Sequence, residues 1–451
     1  MLQQISNYKA IFSLKELSNL FDFKSNENRN ISINTDSRNI SNDEIFLPLI
    51  GEKFDGHDFI NSVIQKNIDT QNKHLSFCEK NKLVKVKEDY RHRLIFVENT
   101  LEAYHLIANY YRKKINPKVV AVTGSSGKTT VKELISYVLS AKYRVYKTEA
   151  NFNNEFGVPK TILEMPKNTQ VLVLELAMRG KGQISYLAKT IEPDIGIITN
   201  VGSAHVGMLG SKEAIIQAKC ELLEHLKANG ITILHNDKNL LENAKKIWKG
   251  KIKTFDFEMA QYMKQENGKT FFSFCKENYQ INTTGKIHVI NSICAIETAQ
   301  ELSLSSSEIQ SGLDKFSIPE GRGNLIVIDK DIYIINESYN ANPDSVKVAV
   351  SNLMENWQND CQRILVLGEL AELGEHQDSL LNNLNNWLSD KPLSLVITVG
   401  GKLNQIKNSI NVKNIEECCA ILKGQFKDKT VVLIKGSHVA GLERIIENLK
   451  K

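Results

Sequence analysis

Residues 120–130 read Val120-Ala121-Val122-Thr123-Gly124-Ser125-Ser126-Gly127-Lys128-Thr129-Thr130, and the reading of this stretch decides the fold. Val119 to Val122 is a short, mostly β-branched apolar run, the pattern of a buried strand. Gly124 and Gly127 punctuate a tight loop, and Val131 to Leu139 has helical apolar spacing. Strand, glycine loop, Lys-Thr and helix together make a cradle for nucleotide phosphates. Backbone N–H groups and the helix N-terminus hold the phosphates, the lysine contacts β/γ oxygens, and the threonine hydroxyl reaches Mg²⁺. Gly124, Ser125, Ser126, Gly127, Lys128, Thr129 and Thr130 are the expected contacts. The string departs from the strict Walker A spacing. The first glycine of that pattern would fall at Val122, and the glycine comes two residues later. A plain strand-to-helix glycine turn would share the first half of the string; the Lys-Thr-Thr and the flanking elements favour the phosphate reading.

Working outward, 451 residues are too many for one ordinary core, so about two to four domains are expected. Lys and Arg total 57 against 52 Asp and Glu. These charges form no basic block, which argues against a nucleic-acid arm or a polybasic membrane anchor. The small positive excess suits an anionic substrate. The seven cysteines form no C-x-x-C pair, and Cys418 and Cys419 are adjacent, a poor geometry for bridging each other. They read as reduced thiols. The N-terminus has no signal-peptide stretch and no run is long enough to span a bilayer, so a soluble cytoplasmic protein is expected.

Residues 1–115 read as a first small α/β unit. It has a helix at Leu14–Phe21, strands at Ile45–Leu49, Leu83–Val86 and Leu94–Val97, and a helix over Leu101–Lys114. Asn116-Pro117 reads as the first boundary. Residues 116–318 alternate strands (Val119–Val122, Val171–Glu175, Ile195–Asn200, Ile231–His235) with helices (Lys128–Ser140, Gln183–Lys189, Lys212–Lys227, Val289–Leu302). That alternation predicts a parallel sheet covered on both faces. Ile252–Tyr279 is less regular and reads as antiparallel. Ser317-Ile318-Pro319-Glu320-Gly321 reads as the second linker. Residues 319–451 then read as a Rossmann-like doubly wound unit. Its strands are Ile332–Asn336, Ile364–Leu367, Leu395–Val399 and Val431–Ile434, and its helices Ser345–Trp357, Ser379–Leu388, Ile415–Leu422 and Leu442–Leu449.

Ligands of open α/β sheets bind beyond the C-terminal strand ends. Glu175 ends the run Val-Leu-Val-Leu-Glu in the same unit as the phosphate loop, a position for a Mg²⁺-binding carboxylate. His205 follows the Ile195–Asn200 strand at the same edge. Taken alone, His205 reads more readily as a surface or satisfied histidine and Lys219 as a solvated helical lysine; the shared location of Glu175 and His205 at successive strand ends is what favours a site.

Many short motifs fall in one order along the chain. They are Thr35-Asp36-Ser37-Arg38, Gly51-Glu52-Lys53-Phe54-Asp55-Gly56-His57, Thr123–Thr130, Asn151-Phe152-Asn153-Asn154-Glu155-Phe156-Gly157-Val158-Pro159 and Glu175-Leu176-Ala177-Met178. Ala204-His205, Ala218-Lys219, Ser338-Tyr339-Asn340-Ala341-Asn342-Pro343, Gly368-Glu369-Leu370-Ala371-Glu372-Leu373-Gly374 and Lys435-Gly436-Ser437 follow. In this set and order the chain resembles the Mur ligase superfamily, the ATP-dependent amide ligases of peptidoglycan precursor synthesis. Within it, the Tyr339–Pro343 segment resembles the branch that joins D-alanyl-D-alanine to UDP-N-acetylmuramoyl-tripeptide.

The resemblance implies three domains. A UDP-muramoyl substrate domain leads, a central P-loop ATPase domain follows, and a C-terminal domain on the ATP ribose side binds D-Ala-D-Ala. It implies phosphorylation of the tripeptide carboxylate by ATP, attack of the dipeptide amine on the acyl phosphate, and loss of phosphate. Lys128 would hold the γ-phosphate, with Thr129 and Glu175 on one Mg²⁺. Lys219, carbamylated by CO₂, would support a second Mg²⁺ with His205 and Glu175. No residue stands out as a general base; a dipeptide α-amine titrates low enough to supply its own free base.

Asn291 and His288 match the adenine-side motif, with Val289 departing from it. Arg322 would reach the ATP phosphates, and reads otherwise as a hinge arginine. Glu337, in place of the usual Asp, would meet the ribose; Glu369 and His438 are further departures. Asn340 and Asn342 would orient the dipeptide, or serve as turn residues. Ser37 and Arg38 would contact the UDP end, Arg suiting a diphosphate, with the aromatic residues nearby read as core. Asn151, Asn153 and Asn154 would bind substrate or metal-bound water, or cap the turn at Gly157. A monomer is expected. Competing readings are another superfamily member (a third-residue muramyl ligase or a folylpolyglutamate synthase) and a nucleotide-gated switch without ligation.

Overall fold

A parallel sheet of six strands occupies the middle of the chain. Its spatial order is Lys251–Phe255, Ile231–His235, Ile195–Ile198, Lys118–Thr123, Val171–Glu175 and Val145–Lys147. The computed structural model describes residues 8–25, 27–68, 75–202, 206–266, 268–357, 360–370, 373–374, 377–400, 403, 406 and 408–450. The strands read as continuous apolar runs because both faces are covered. Val119, Ala121, Leu172 and Leu174 enter one core, and Val120, Val122, Val171 and Val173 the other. The helices Lys128–Leu139, Lys286–Glu301 and Ser306–Lys315 pack on the second face.

Among the described residues the first unit has five strands, ordered Phe12–Ser13, Asn30–Asn34, Glu44–Phe46, Ser76–Glu79 and Leu94–Val97. All its pairings but the first are parallel. Its last helix, Thr100–Ile115, is capped by Asn99 and ends at Asn116 in the left-handed region. Ala103, Ile107 and Tyr111 on this helix share one core with Phe12 and Phe77 before them and with Val119 and Leu172 after them. The third unit is a six-stranded sheet, ordered Asn324–Asp329, Ile332–Glu337, Thr430–Lys435, Gln362–Leu367, Leu395–Val399 and Ile410–Val412. Among the described residues its first pair is antiparallel and the others parallel.

Several elements depart from expectation. Lys80–Lys85 is a 3-10 helix rather than part of a strand at Leu83–Val86. Three residues per turn stack Lys82 over Lys85, and both reach Asp55 Oδ2, at 3.0 and 2.7 Å. The helix from Lys212 ends at Cys220 and tightens into a 3-10 turn over Glu221–His225. Of the region expected as antiparallel, Lys251–Phe255 joins the central parallel sheet. Tyr262–Glu266, Lys269–Phe274 and Glu277–Ile281 form the antiparallel three-stranded sheet. Phe46 is core, but Phe54 is 60% exposed, which corrects the assignment of the neighbouring aromatics to the interior.

The helix Ser306–Lys315 lies directly against the phosphate-loop helix. A Cβ at Gly312 would stand 2.3 Å from Val138 Cα and 2.9 Å from the Tyr137 carbonyl oxygen. Backbone cannot yield as a side chain can, so Gly312→Ala should destabilise the chain by about 1–3 kcal/mol. Chemical denaturation of the variant beside the parent checks this.

Candidate active site

The phosphate loop is built by what it must avoid and what ties it down. Gly124 has φ 154°, and a Cβ there would lie 1.9 Å from Thr199 Oγ1, so only glycine fits. Two residues at the end of the neighbouring strand hold the loop. The Ser125 N–H donates to the Asn200 carbonyl at 3.1 Å. The Ser126 N–H donates to Asn200 Oδ1 at 3.0 Å, while Asn200 Nδ2 donates to the Ser126 carbonyl and hydroxyl oxygens at 3.0 and 2.9 Å. Thr199 Oγ1 donates to the same carbonyl at 2.6 Å. Thr199 and Asn200 were not singled out in the sequence. Their position at the Ile195–Ile198 strand end is the signal that finds them. Gly127 leads into the helix Lys128–Leu139, and Lys128 Nζ donates to the Gly124 carbonyl at 2.8 Å. Thr130 is buried in the first turn of that helix.

Glu175 is 3% exposed at the end of its strand. Thr129 Oγ1 donates to Glu175 Oε2 and Asn153 Nδ2 to Oε1, each at 2.9 Å. From the third unit, Arg322 Nη2 donates to Thr129 Oγ1 at 3.1 Å. Its guanidinium lies 3.9 Å over the Tyr339 ring, which in turn stacks against His438 at 5.8 Å. Four residues expected at the site, Thr129, Asn153, Glu175 and Arg322, therefore form one hydrogen-bonded group. A hydroxyl and a carboxylate side by side are hard oxygen donors suited to Mg²⁺, which keeps waters and phosphate oxygens as its other ligands. Among the described residues no three His, Cys, Asp or Glu side chains gather as a metal site. His205 lies outside the described residues.

Lys219 is 1% exposed on the helix Lys212–Cys220. Burial first, and then the Lys128 charge, push its amine well below the usual lysine range. A neutral amine is the form that reacts with CO₂, so the environment fits a carbamate. Asn291 is buried with Oδ1 3.9 Å from where a Gly127 Cβ would stand. His288 is half-buried, and desolvation pushes its imidazole down to about 4.

Other expected residues have local partners. Glu337 Oε2 accepts from Lys435 Nζ at 2.8 Å, and the same ammonium donates to the Asn340 carbonyl at 3.1 Å. Asn340 Oδ1 accepts from the Ala341 N–H. Asn342 caps the helix Pro343–Asn356, with Oδ1 accepting from the Ser345 N–H at 2.9 Å. Asn154 Oδ1 accepts from the Gly157 N–H at 2.9 Å, which is the capping alternative. Ser37 is half-buried in the turn with Arg38. Arg38 is exposed and pairs in bidentate fashion with Asp36, holding that carboxyl down at about 2.

Three family models match the chain. The Mur ligase family catalytic domain covers residues 31–124, the Mur ligase middle domain 122–299, and the Mur ligase glutamate ligase domain 321–438. The chain is 32% identical over 433 residues to the UDP-N-acetylmuramoyl-tripeptide–D-alanyl-D-alanine ligase of Bacillus subtilis, covering 92% of each chain. The chain belongs to the Mur ligase family. Among solved Mur ligases, MurF of Acinetobacter baumannii superposes with a TM-score of 0.86 at 27% identity, covering 98% of this chain and 100% of that one. MurF of Thermotoga maritima in complex with ADP gives 0.83 at 26% identity, covering 93% and 97%.

Lys219→Met keeps the bulk and removes the buried amine. The variant should melt no lower than the parent while losing ATP-dependent turnover. In the parent the unfolded lysine holds its proton at pH values where the folded one has released it. Stability should therefore rise with pH, from the depressed folded value up to the ordinary 10.5. The variant should lose that slope, read from melting temperatures across pH.

Proposed function

We propose that the chain joins D-alanyl-D-alanine to UDP-N-acetylmuramoyl-tripeptide at the expense of ATP, producing the pentapeptide precursor of peptidoglycan, ADP and phosphate. One observation carries the reading: the match to ligases of that name runs over 92% of the chain, and the Thr129–Glu175–Asn153–Arg322 group lies within it.

ATP lies along the glycine loop, with its phosphates on the N-terminus of the Lys128–Leu139 helix and on Lys128. Asn291 and Glu337 flank the adenosine side. Thr129 and Glu175 would hold one Mg²⁺, and Glu175, His205 and a carbamylated Lys219 a second, and the ions would supply charge neutralisation for phosphoryl transfer. Arg322 reaches Thr129 from the third unit and adds a fixed positive charge beside the γ-phosphate. The tripeptide carboxylate takes the phosphoryl group, and the dipeptide amine attacks the acyl carbon. Phosphate then leaves from the tetrahedral intermediate. Closing the third unit over the central one keeps water from the acyl phosphate. Ser37 and Arg38 meet the UDP end; Asn153 orients substrate as well as Glu175, and Asn154 shapes the turn beside it. Asn340 and Asn342 shape the dipeptide side through the loop they cap. We place the working divisions at 115/116 and 318/319, and the enzyme acts as a cytoplasmic monomer. Among the described residues no helix is long and apolar enough to cross a membrane.

Phosphate release from Mg-ATP, omitting each co-substrate in turn and weighing the product, tests this. Release that needs both the UDP-muramoyl-tripeptide and D-Ala-D-Ala, with a pentapeptide product, is expected. Release with neither, or with a folate and glutamate instead, would overturn the reading.

A further inference from the structure

Beneath Glu175 lies a buried polar chain that none of the roles above uses. Lys132 sits one helical turn after Thr129 on the phosphate-loop helix and is 1% exposed. Its Nζ donates to the Thr148 carbonyl at 2.7 Å and pairs with Glu133 Oε1 at 2.8 Å. The other Glu133 oxygen pairs with Lys147. Thr148, wholly buried, follows the strand Val145–Lys147. Its N–H donates to the Val173 carbonyl at 3.0 Å, and its Oγ1 accepts from the Glu175 N–H at 3.0 Å. The Glu175 backbone is thus held by Thr148, and Thr148 is held by the helix that carries Thr129.

Burying an ammonium is expensive unless it is paired and hydrogen-bonded, and an apolar side chain would bridge the helix and the strand more simply. What a lysine adds here is a fixed direction. One helix holds both ends of the Glu175 segment, the carboxylate through Thr129 and the main chain through Lys132 and Thr148. We infer that Lys132 and Thr148 are positioning residues for metal-dependent nucleotide binding, setting Glu175 against Thr129 so that the two oxygens present a preformed face to Mg²⁺. Partners one shell beyond a metal ligand commonly change metal affinity or activity by about 10–100-fold.

The inference rests on Glu175 being a metal-side carboxylate, so the test separates the two claims. ADP binding is measured by calorimetry with and without Mg²⁺ for the parent, Lys132→Met, Lys132→Arg, Thr148→Val and Glu175→Gln. Lys132→Met and Thr148→Val should each weaken binding in Mg²⁺ by about ten-fold or more and leave metal-free binding unchanged. Lys132→Arg should recover part of the loss, and a variant carrying both Lys132→Met and Thr148→Val should lose less than the sum of the singles, as expected for one chain of contacts. Should Lys132→Met fail to fold, Thr148→Val, which keeps the shape, decides alone. The proposal is overturned if Glu175→Gln loses the Mg²⁺ effect while Lys132→Met and Thr148→Val keep it, or if these two lose metal-free binding equally. If Glu175→Gln itself keeps the Mg²⁺ effect, the metal reading of Glu175 fails, and this inference with it.

Discussion

The hydrogen bond between Thr129 and Glu175 is the contact on which the rest of the structure depends. It joins two residues 46 positions apart at 2.9 Å. It exists because the strands Lys118–Thr123 and Val171–Glu175 are parallel neighbours with Val122 opposite Glu175. Parallel pairing puts both C-terminal strand ends at one edge, where the chain leaves one strand into a glycine loop and the other with a carboxylate. The cores on the two faces of the sheet keep that edge rigid. Asn200 and Asn153 then fix what remains loose, the loop main chain and the second carboxylate oxygen. Nucleotide binding on such an edge requires little rearrangement, which is what phosphoryl transfer by positioning demands.

The third unit enters this group through one side chain. Arg322 is held against the Tyr339 ring and reaches Thr129, so a residue just past the second linker completes a site begun 193 residues earlier. The departures at Glu337 and His438 are accommodated in the same region. Glu337 meets Lys435 across the paired strands, and His438 stacks against Tyr339. The Tyr339 ring, which touches both Arg322 and His438, thereby links the Tyr339–Pro343 segment to the phosphate-loop edge.

Much of the architecture was legible because buried parallel strands write themselves as apolar runs. Val171–Glu175, Ile231–His235 and Leu395–Val399 fall where the sequence places them. Leu83–Val86 did not, since Lys85 within it and Lys82 just before it serve Asp55 in space, and periodicity over four residues cannot reveal that. At the site, loop, lysine and strand-end carboxylate carry local signatures. Asn200, Thr148 and Lys132 do not: each works through a main-chain group on another segment, and a polar residue near a strand end is common. Asn342 illustrates the converse, a residue in a telling motif whose own side chain caps a helix. His288 and Asn291 share the helix Lys286–Glu301, yet of the two only Asn291 is buried; which side chain of a helix start is covered depends on packing that local spacing does not reveal.

The most direct measurement is a crystal structure of the chain with a non-hydrolysable ATP analogue and Mg²⁺. The account predicts an ion about 2.1 Å from Thr129 Oγ1, with Glu175 turned to that ion or to a water on it, and the γ-phosphate between Lys128 and Arg322. A nucleotide bound away from the glycine loop, or an ion elsewhere with the Thr129–Glu175 hydrogen bond intact, would contradict it.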